Sequence, residues 1–247
     1  MSIVQTVFGP GLIYAKSSAT GSSYKQLGSI QDFSFDESKT MKELHGSFQF
    51  PIDVATSTIK LSGKMKQAVI NATSYNDIFF GQSIATGQTL TAVGEAGTIP
   101  SSTAYTITVS QSAHFTADLG VTYADGSAVF QYIPTGTPTV GQYTVTAGVY
   151  TFAAADAGKA VSISYRYSSA LTGINITNSQ QLIGTTVTFS LLYVSQHNGK
   201  EISLEFFKVV APKLAMQFKL EDFMVPELDL AMFANDAGQA FILNTAN

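Results

Sequence analysis

The sequence predicts a mainly β protein, and three observations support this fold class. Apolar and polar residues alternate with a period of two in several segments, such as SIQDFSFD at 29–36, as in a strand with one buried face. Turn-forming pairs such as Asp125-Gly126 lie between such segments. Helical spacing occurs in one segment. A length of 247 residues fits one large all-β domain or two smaller ones.

The composition favours a protein that packs against copies of itself. Hydrophobic residues make up 45% of the chain and charged residues only 12%, about half the usual quarter. The surface should therefore be rich in Ser, Thr, Ala and Gly. The centres of protein interfaces are likewise depleted of charge. We interpret the chain as a single domain over 1–247, with an elaborated or inserted β-segment at about 89–167.

The charge distribution argues against tight binding of nucleic acid. The net charge is −4, no Lys or Arg occurs between Gln67 and Gly158 or after Lys219, and Arg166 is the only arginine. Proteins that hold phosphates tightly need clustered bases, and arginine makes the commonest specific contact to bases.

Neither export nor membrane insertion is expected. The chain has no cysteine, which excludes disulfides and thiolate metal sites and favours folding in the cytoplasm. Residues 1–18 lack a basic region and are interrupted by Gly9-Pro10-Gly11, so we expect no signal peptide. No run approaches the roughly 18 apolar residues of a membrane helix. We therefore expect a soluble protein.

Residues 42–61 predict a hairpin. The segment GSFQFPID at 46–53 places Phe48 and Phe50 on one face until Pro51 ends the alternation. The segment STIKLSGKMK at 57–66 also alternates. One α-helix is predicted from about Lys64 to Phe80, because apolar residues recur at three- and four-residue spacing and Gly81 suits a helix C-cap. The residues with this spacing are Met65, Ala68, Val69 and Ala72.

The rest of the chain predicts further strands. Two segments between 89 and 167 echo each other, YTITVSQSAHFTADLG and YTVTAGVYTFAAADAG, and we interpret their Asp118-x-Gly and Asp156-x-Gly as turns. Strands are predicted at 184–195 and 200–211, and alternation through 213–223 predicts another. The closing segment, 226–244, predicts a strand, an Asn-Asp-Ala-Gly turn and a strand, with a short helix at 227–234 as the alternative.

His45, Ser47 and Asp53 raise the question of a Ser-His-Asp triad. His45 and Ser47 would share one face of a strand and could touch. A triad also needs a nucleophile on a strained turn and an oxyanion hole, and no Gly-x-Ser-x-Gly surrounds Ser47. The three histidines lack metal-ligand spacing. We therefore predict no catalytic residue, no metal and no cofactor. A carboxylate pair for glycoside cleavage stays open, although the chain has no Trp.

Residues 28–81 resemble the tail tube proteins (major tail proteins) of long-tailed bacteriophages. The resemblance consists of a strand led by Gly28, a Lys-Glu-Leu-x-Gly hairpin that runs into Phe-Pro-Ile-Asp, and a Lys-rich strand that enters a helix ending in Asn-Asp-x-Phe-Phe-Gly. The segments 141–168 and 220–244 are also similar to strand units of phage structural and tube proteins.

The resemblance implies a tail-tube-type β-sandwich or partial barrel with one flanking helix. Six copies would close into a ring, their inner sheets would merge into one barrel, and stacked rings would form the tail tube that conducts the genome into the host. A barrel of 16–18 strands leaves only an aqueous channel, so a DNA duplex needs roughly two dozen strands and therefore several chains. A neutral or acidic lumen would let DNA slide without tight binding.

The same resemblance implies a virion protein that is made and assembled in the bacterial cytoplasm. Its partners would be copies of itself and other tail proteins: terminator, tape measure, distal tail protein and, in contractile tails, sheath. The hairpin would be an assembly element that contacts neighbouring subunits through Lys39, Lys42, Glu43, His45, Phe48, Phe50 and Asp53. Two alternatives remain, an adhesive or carbohydrate-binding β-module of a phage or bacterial surface, and a β-sandwich hydrolase.

Overall fold

The computed structural model describes residues 9–69 and 71–245 and is mainly β, with 57% strand and 6% helix. This confirms the predicted fold class. The chain divides into two compact units. The first combines the chain up to Ser83 with the chain from Ile176 onward, and the second spans Ile84–Asn175. In the described residues, no helix is both long and apolar enough to cross a membrane.

The described residues form fifteen strands, numbered here in chain order. They are β1 Leu12–Ser17, β2 Lys25–Gln26, β3 Ile30–His45, β4 Pro51–Gln67, β5 Ile84–Thr98, β6 Thr106–Thr108, β7 Phe115–Tyr123, β8 Gln131–Tyr132, β9 Gln142–Thr146, β10 Val149–Phe152, β11 Ala160–Ile176, β12 Phe189–His197, β13 Lys200–Ala215, β14 Glu227–Phe233 and β15 Phe241–Thr245.

The first unit is built on one eight-stranded antiparallel sheet. Its order is β2–β1–β12–β13–β14–β4–β3, and β15 pairs with β13. One face of this sheet is buried, because every second residue of its central strands is apolar. Leu228, Leu230 and Met232 of β14 lie in the core with Leu61 and Met65 of β4. On the opposite face, β3, β4 and the start of β14 carry polar and charged residues, whereas β1, β12 and the end of β14 place Leu12, Leu192 and Phe233 there.

The predicted helix at 64–80 is wrong in its first half. Lys64 and Met65 belong to β4, where they lie opposite Asp229 and Leu228 of β14. The α-helix α1 covers only Ala72–Tyr75 and continues as a π-helical turn, Asn76–Phe80. The apolar residues of 61–65 also satisfy a period of two, and pairing with β14 selects the strand.

The end of the helical segment agrees with the prediction. Gly81 has a left-handed backbone with φ of 61°, and its N–H donates to Asn76 O at 2.7 Å. At the other end, Asn71 caps α1, since its side-chain oxygen accepts from the N–H groups of Thr73 and Ser74. The segment packs on the core of the first unit, with Tyr75 and Ile78 buried.

The C-terminal strands are partly as predicted. Residues 227–233 form β14 rather than the alternative helix, and Asn235 and Gly238 close the predicted turn before β15. However, β13 ends at Ala215, so the predicted strand through 213–223 is wrong beyond that residue. The alternation continues, but no strand of the described residues pairs with it. Likewise, the strand predicted at 184–195 begins only at Phe189.

The second unit contains two small sheets, β6–β10–β9–β8 and β5–β11–β7. Most of its pairs are antiparallel, whereas β8 and β9 are parallel. The internal echo does not repeat as structure. The segment 143–158 forms the β9–β10 hairpin and a 3-10 turn at Ala154–Asp156. Asp118 lies inside β7 rather than between strands, but its carboxylate accepts from Gly120 N and Gly120 has the predicted positive φ, 109°, at an irregularity in the register with β11.

Candidate assembly surface

The predicted hairpin is present and longer than expected. Strands β3 and β4 pair from Ile30 opposite Gln67 to His45 opposite Pro51, with a loop at 46–50. Strand β14 accompanies β4 only as far as Leu61, which lies opposite Met232. Beyond that point, residues 38–60 form a two-stranded extension that we call the free ribbon. At about 3.3 Å per residue, its β3 arm is about 25 Å long.

The free ribbon exposes large apolar side chains. Phe48 and Phe50 at the tip are 83% and 82% exposed. The other exposed apolar residues of the ribbon are Met41, Leu44, Ile52, Val54 and Ile59. Clustered exposure of this kind marks interaction sites, and an isolated two-stranded hairpin is only marginally stable in water. The ribbon is therefore the best candidate for a binding surface in the first unit.

The charged residues predicted for the hairpin make local contacts along it. Lys39 Nζ lies 3.1 Å from Glu37 Oε1, and His45 Nε2 lies 3.3 Å from Glu43 Oε2. Asp53 Oδ1 accepts from the N–H of Val54 at 2.8 Å. All of these residues are exposed on the hairpin, and so are Lys42, Phe48 and Phe50. They are spread along the two arms and the tip rather than gathered at one point.

The structure does not assemble a triad from His45, Ser47 and Asp53. Asp53 lies opposite Leu44 in the register of β3 and β4. Asp53 Oδ1 accepts from the N–H of Val54, and His45 Nε2 contacts Glu43 rather than Asp53. Ser47 lies in the loop between the strands.

A second feature is the charged part of the sheet face that points away from the core, formed by β3, β4, β14 and the end of β13, which we call the polar sheet face. Strand pairing brings Lys66 between Glu227 and Asp32, and Lys64 between Asp229 and Ser34. One strand further, Lys213 lies opposite Asp229. The oppositely charged atoms are 4.0 Å apart for Lys64 and Glu227 and 3.9 Å apart for Lys213 and Asp229. Such long, exposed pairs contribute little stability.

This face carries acids and bases in alternation, so their charges nearly cancel. Sequence reasoning missed it because the bases of β4 and the acids of β14 are more than 150 residues apart in the chain. The acidic segment after Lys219 and the Lys-rich strand at 57–66 were the available signals. Only the pairing of β4 with β14 brings them together.

The partly or fully buried carboxylates of the second unit are held by internal donors. Asp118 accepts from the hydroxyls of Tyr143 and Tyr150, the latter at 2.8 Å. Burial, together with these hydrogen bonds, raises the pKa of both tyrosines. Asp156 is fully buried and binds Gly141 N at 2.8 Å and Lys159 Nζ at 2.7 Å.

Glu95 is also engaged in the second unit. It accepts from Tyr165 Oη at 2.6 Å and from both the N–H and the hydroxyl of Ser110. Burial opposes ionisation, but these hydrogen bonds outweigh it and lower the pKa of Glu95. Carboxylates whose hydrogen bonds are all made by groups of the fold itself stabilise the packing of that fold.

Comparison with known proteins adds no assignment, since no family model matches the chain and no curated protein matches it.

Proposed function

We propose that this protein is a structural subunit of a bacteriophage tail tube, in which six copies form a ring and rings stack into a conduit for DNA. The observation that carries the proposal is the free ribbon, which holds exposed apolar residues on a two-stranded extension without a core of its own. Such a segment needs the surface of another molecule. The resemblance of residues 28–81 to tail tube proteins supports another copy of the chain.

The sheet of the first unit has unpaired strand edges for joining copies. Strand β3 closes one side of the sheet. At the opposite side, β2 pairs with Tyr14 and Ala15, and within residues 9–69 and 71–245 no other strand pairs with this edge of β1. Two different edges joined head to tail make a heterologous contact, which closes into a ring if the rotation permits. Exposed edges otherwise promote uncontrolled aggregation.

The polar sheet face suits a passage for DNA. Proteins that hold DNA through clustered Lys and Arg release counterions and bind tightly at low salt. Here Lys64, Lys66 and Lys213 alternate with Asp229 and Glu227, so the face offers no continuous basic track. A duplex could pass over it without tight binding. In this proposal the protein belongs to the virion tail and also contacts other tail proteins at the ends of the tube.

Negative-stain electron microscopy of the purified full-length chain, alongside light scattering, tests the proposal. We expect six-fold rings or tubes at high concentration, with or without a tail-assembly partner as nucleus. Monomers under all of these conditions would contradict it.

A second candidate function, an adhesive or carbohydrate-binding module, draws on one observation. Residues Ile84–Asn175 form a compact unit with its own core, as binding modules do. The absence of Trp weighs against it, because sugar-binding clefts commonly use that side chain. Glycan-array binding by the full-length chain that is lost in variants of this unit would favour the second candidate.

A further inference from the structure

The two faces of the free ribbon differ, and the difference begins in the sheet from which it extends. Phe33 lies opposite Met65, and Phe35 lies opposite Gly63, on the face that covers the core. Next along this face, Glu37 lies opposite Leu61. With a period of two, the same face continues to the pair Lys39 and Ile59 and then to Met41. The core ends near Leu61, but the face continues.

An irregularity in β4 keeps apolar residues on this face. Thr40 lies opposite Thr58, and Met41 lies opposite Thr56, so Ser57 is an extra residue. Without the extra residue, a period of two from Ile59 would bring Ala55 and Asp53 onto this face. With it, Thr56 and Val54 take the face instead. Contact between the Thr56 hydroxyl and Met41 Sδ at 3.5 Å agrees with this placement. Bulges often re-aim side chains at functional positions.

Polar groups on this face are matched within the hairpin. Glu37 and Lys39 form an ion pair, and Glu43 contacts His45, so Met41 lies between two internally satisfied pairs. Groups already matched in this way are less costly to cover than lone charges.

The opposite face is polar. Ser38, Thr40 and Lys42 alternate along β3, and Thr58 and Lys60 lie on β4. Leu44, near the tip and opposite Asp53, is a large apolar side chain on this face.

We propose that the face bearing Met41, Val54 and Ile59 docks against a second copy of this chain, while the face bearing Thr40 and Thr58 stays in solvent. The proposal rests on the proposed self-assembly and assigns its contact face. A second copy is the occupant because only 12% of the chain is charged, and charge is depleted at the centres of interfaces. In addition, the chain exposes further apolar residues to receive the ribbon. These are Leu182, Ile183, Phe218, Leu220 and Phe223. A chain that carries two different complementary patches associates head to tail.

Matched substitutions on neighbouring residues test the assignment. Met41→Asp and Ile59→Asp place a carboxylate on the docking face, and Thr40→Asp and Thr58→Asp place the same group at the same depth on the other face. All four positions are exposed, so the four variants should melt like the parent chain. The concentration needed for assembly should rise at least about tenfold for the first pair, because an unpaired charge would be buried. It should change within about threefold for the second pair.

Photo-crosslinking provides a second readout that does not depend on a tolerated charge. A benzophenone amino acid at position 41 should yield chain-to-chain adducts, and the same group at position 40 should yield few. Equal assembly of all four variants, or equal adducts from positions 40 and 41, would overturn the face assignment while self-assembly stands. If the parent chain stays monomeric and gives no adducts, both the assignment and the proposed function are wrong.

Discussion

The base of the hairpin and its free ribbon are built from the same two strands, yet they differ in what lies beneath them. At the base, residues 30–37 and 61–67 continue the eight-stranded sheet, and Met65 is fully buried. In the free ribbon, residues 38–60 keep antiparallel pairing, but Met41 is 55% exposed. Backbone pairing therefore does not supply a core. Side-chain burial needs a second layer, and the described chain provides it only at the base.

Removal of the free ribbon should have the largest effect on assembly and little effect on folding. Residues 41–57 would be replaced by Asn-Gly, which closes a tight hairpin between the opposed Thr40 and Thr58. We expect no rings or tubes, because the docking face is absent. The melting temperature should fall by no more than about 4 °C, the shift that a loss of about 1 kcal/mol causes in a chain of this size, because the removed side chains lie outside the core.

Thermal melting and electron microscopy of this variant provide the measurement. Normal tubes would show that the ribbon is not the coupling element. A shorter deletion, residues 40–46, is expected to give the same result but removes one arm only. Unfolding of both variants would place these residues in the core instead.

Replacing one methionine by alanine in the base of the hairpin and one in the free ribbon should change the free energy of unfolding by different amounts. Met65→Ala leaves a cavity in a packed core and should lower the free energy of unfolding by about 2–5 kcal/mol. Met41→Ala removes an exposed side chain and should change it by less than about 0.5 kcal/mol. Urea unfolding of the monomer measures both. Similar losses for the two variants would contradict the difference in burial.

Charge reversal near the tip should have the smallest effect. Lys42→Glu and Glu43→Lys change exposed groups, and each should weaken ring stacking by about 0–1 kcal/mol. The Glu43 change should be the larger, because Glu43 shares its face with Met41 and contacts His45. Sedimentation across a range of salt concentrations measures the effect. A larger effect from Lys42 would point to the opposite face as the contact.

The sequence predicted several elements because their signals are local. The hairpin around 46–50, the left-handed Gly81 and the closing strand-turn-strand follow from alternation and from residues suited to turns. The helix at 64–80 was predicted too long, because Met65 satisfies both a helical and a strand period. The choice between them depends on β14, a strand that lies far away in the chain.

By itself, the sequence determined that the protein is mainly β, that its charge is sparse and that a hairpin carries Phe48 and Phe50. Tertiary structure alone decided where the sheet ends, that Ser57 is the extra residue in β4, and that pairing with β14 stops at Leu61. It also decided the alternating charges of the polar face, which join Lys64 to Glu227. Local patterns specify strands through nearest neighbours in the chain, whereas register, edges and exposure depend on strands that pair across long separations.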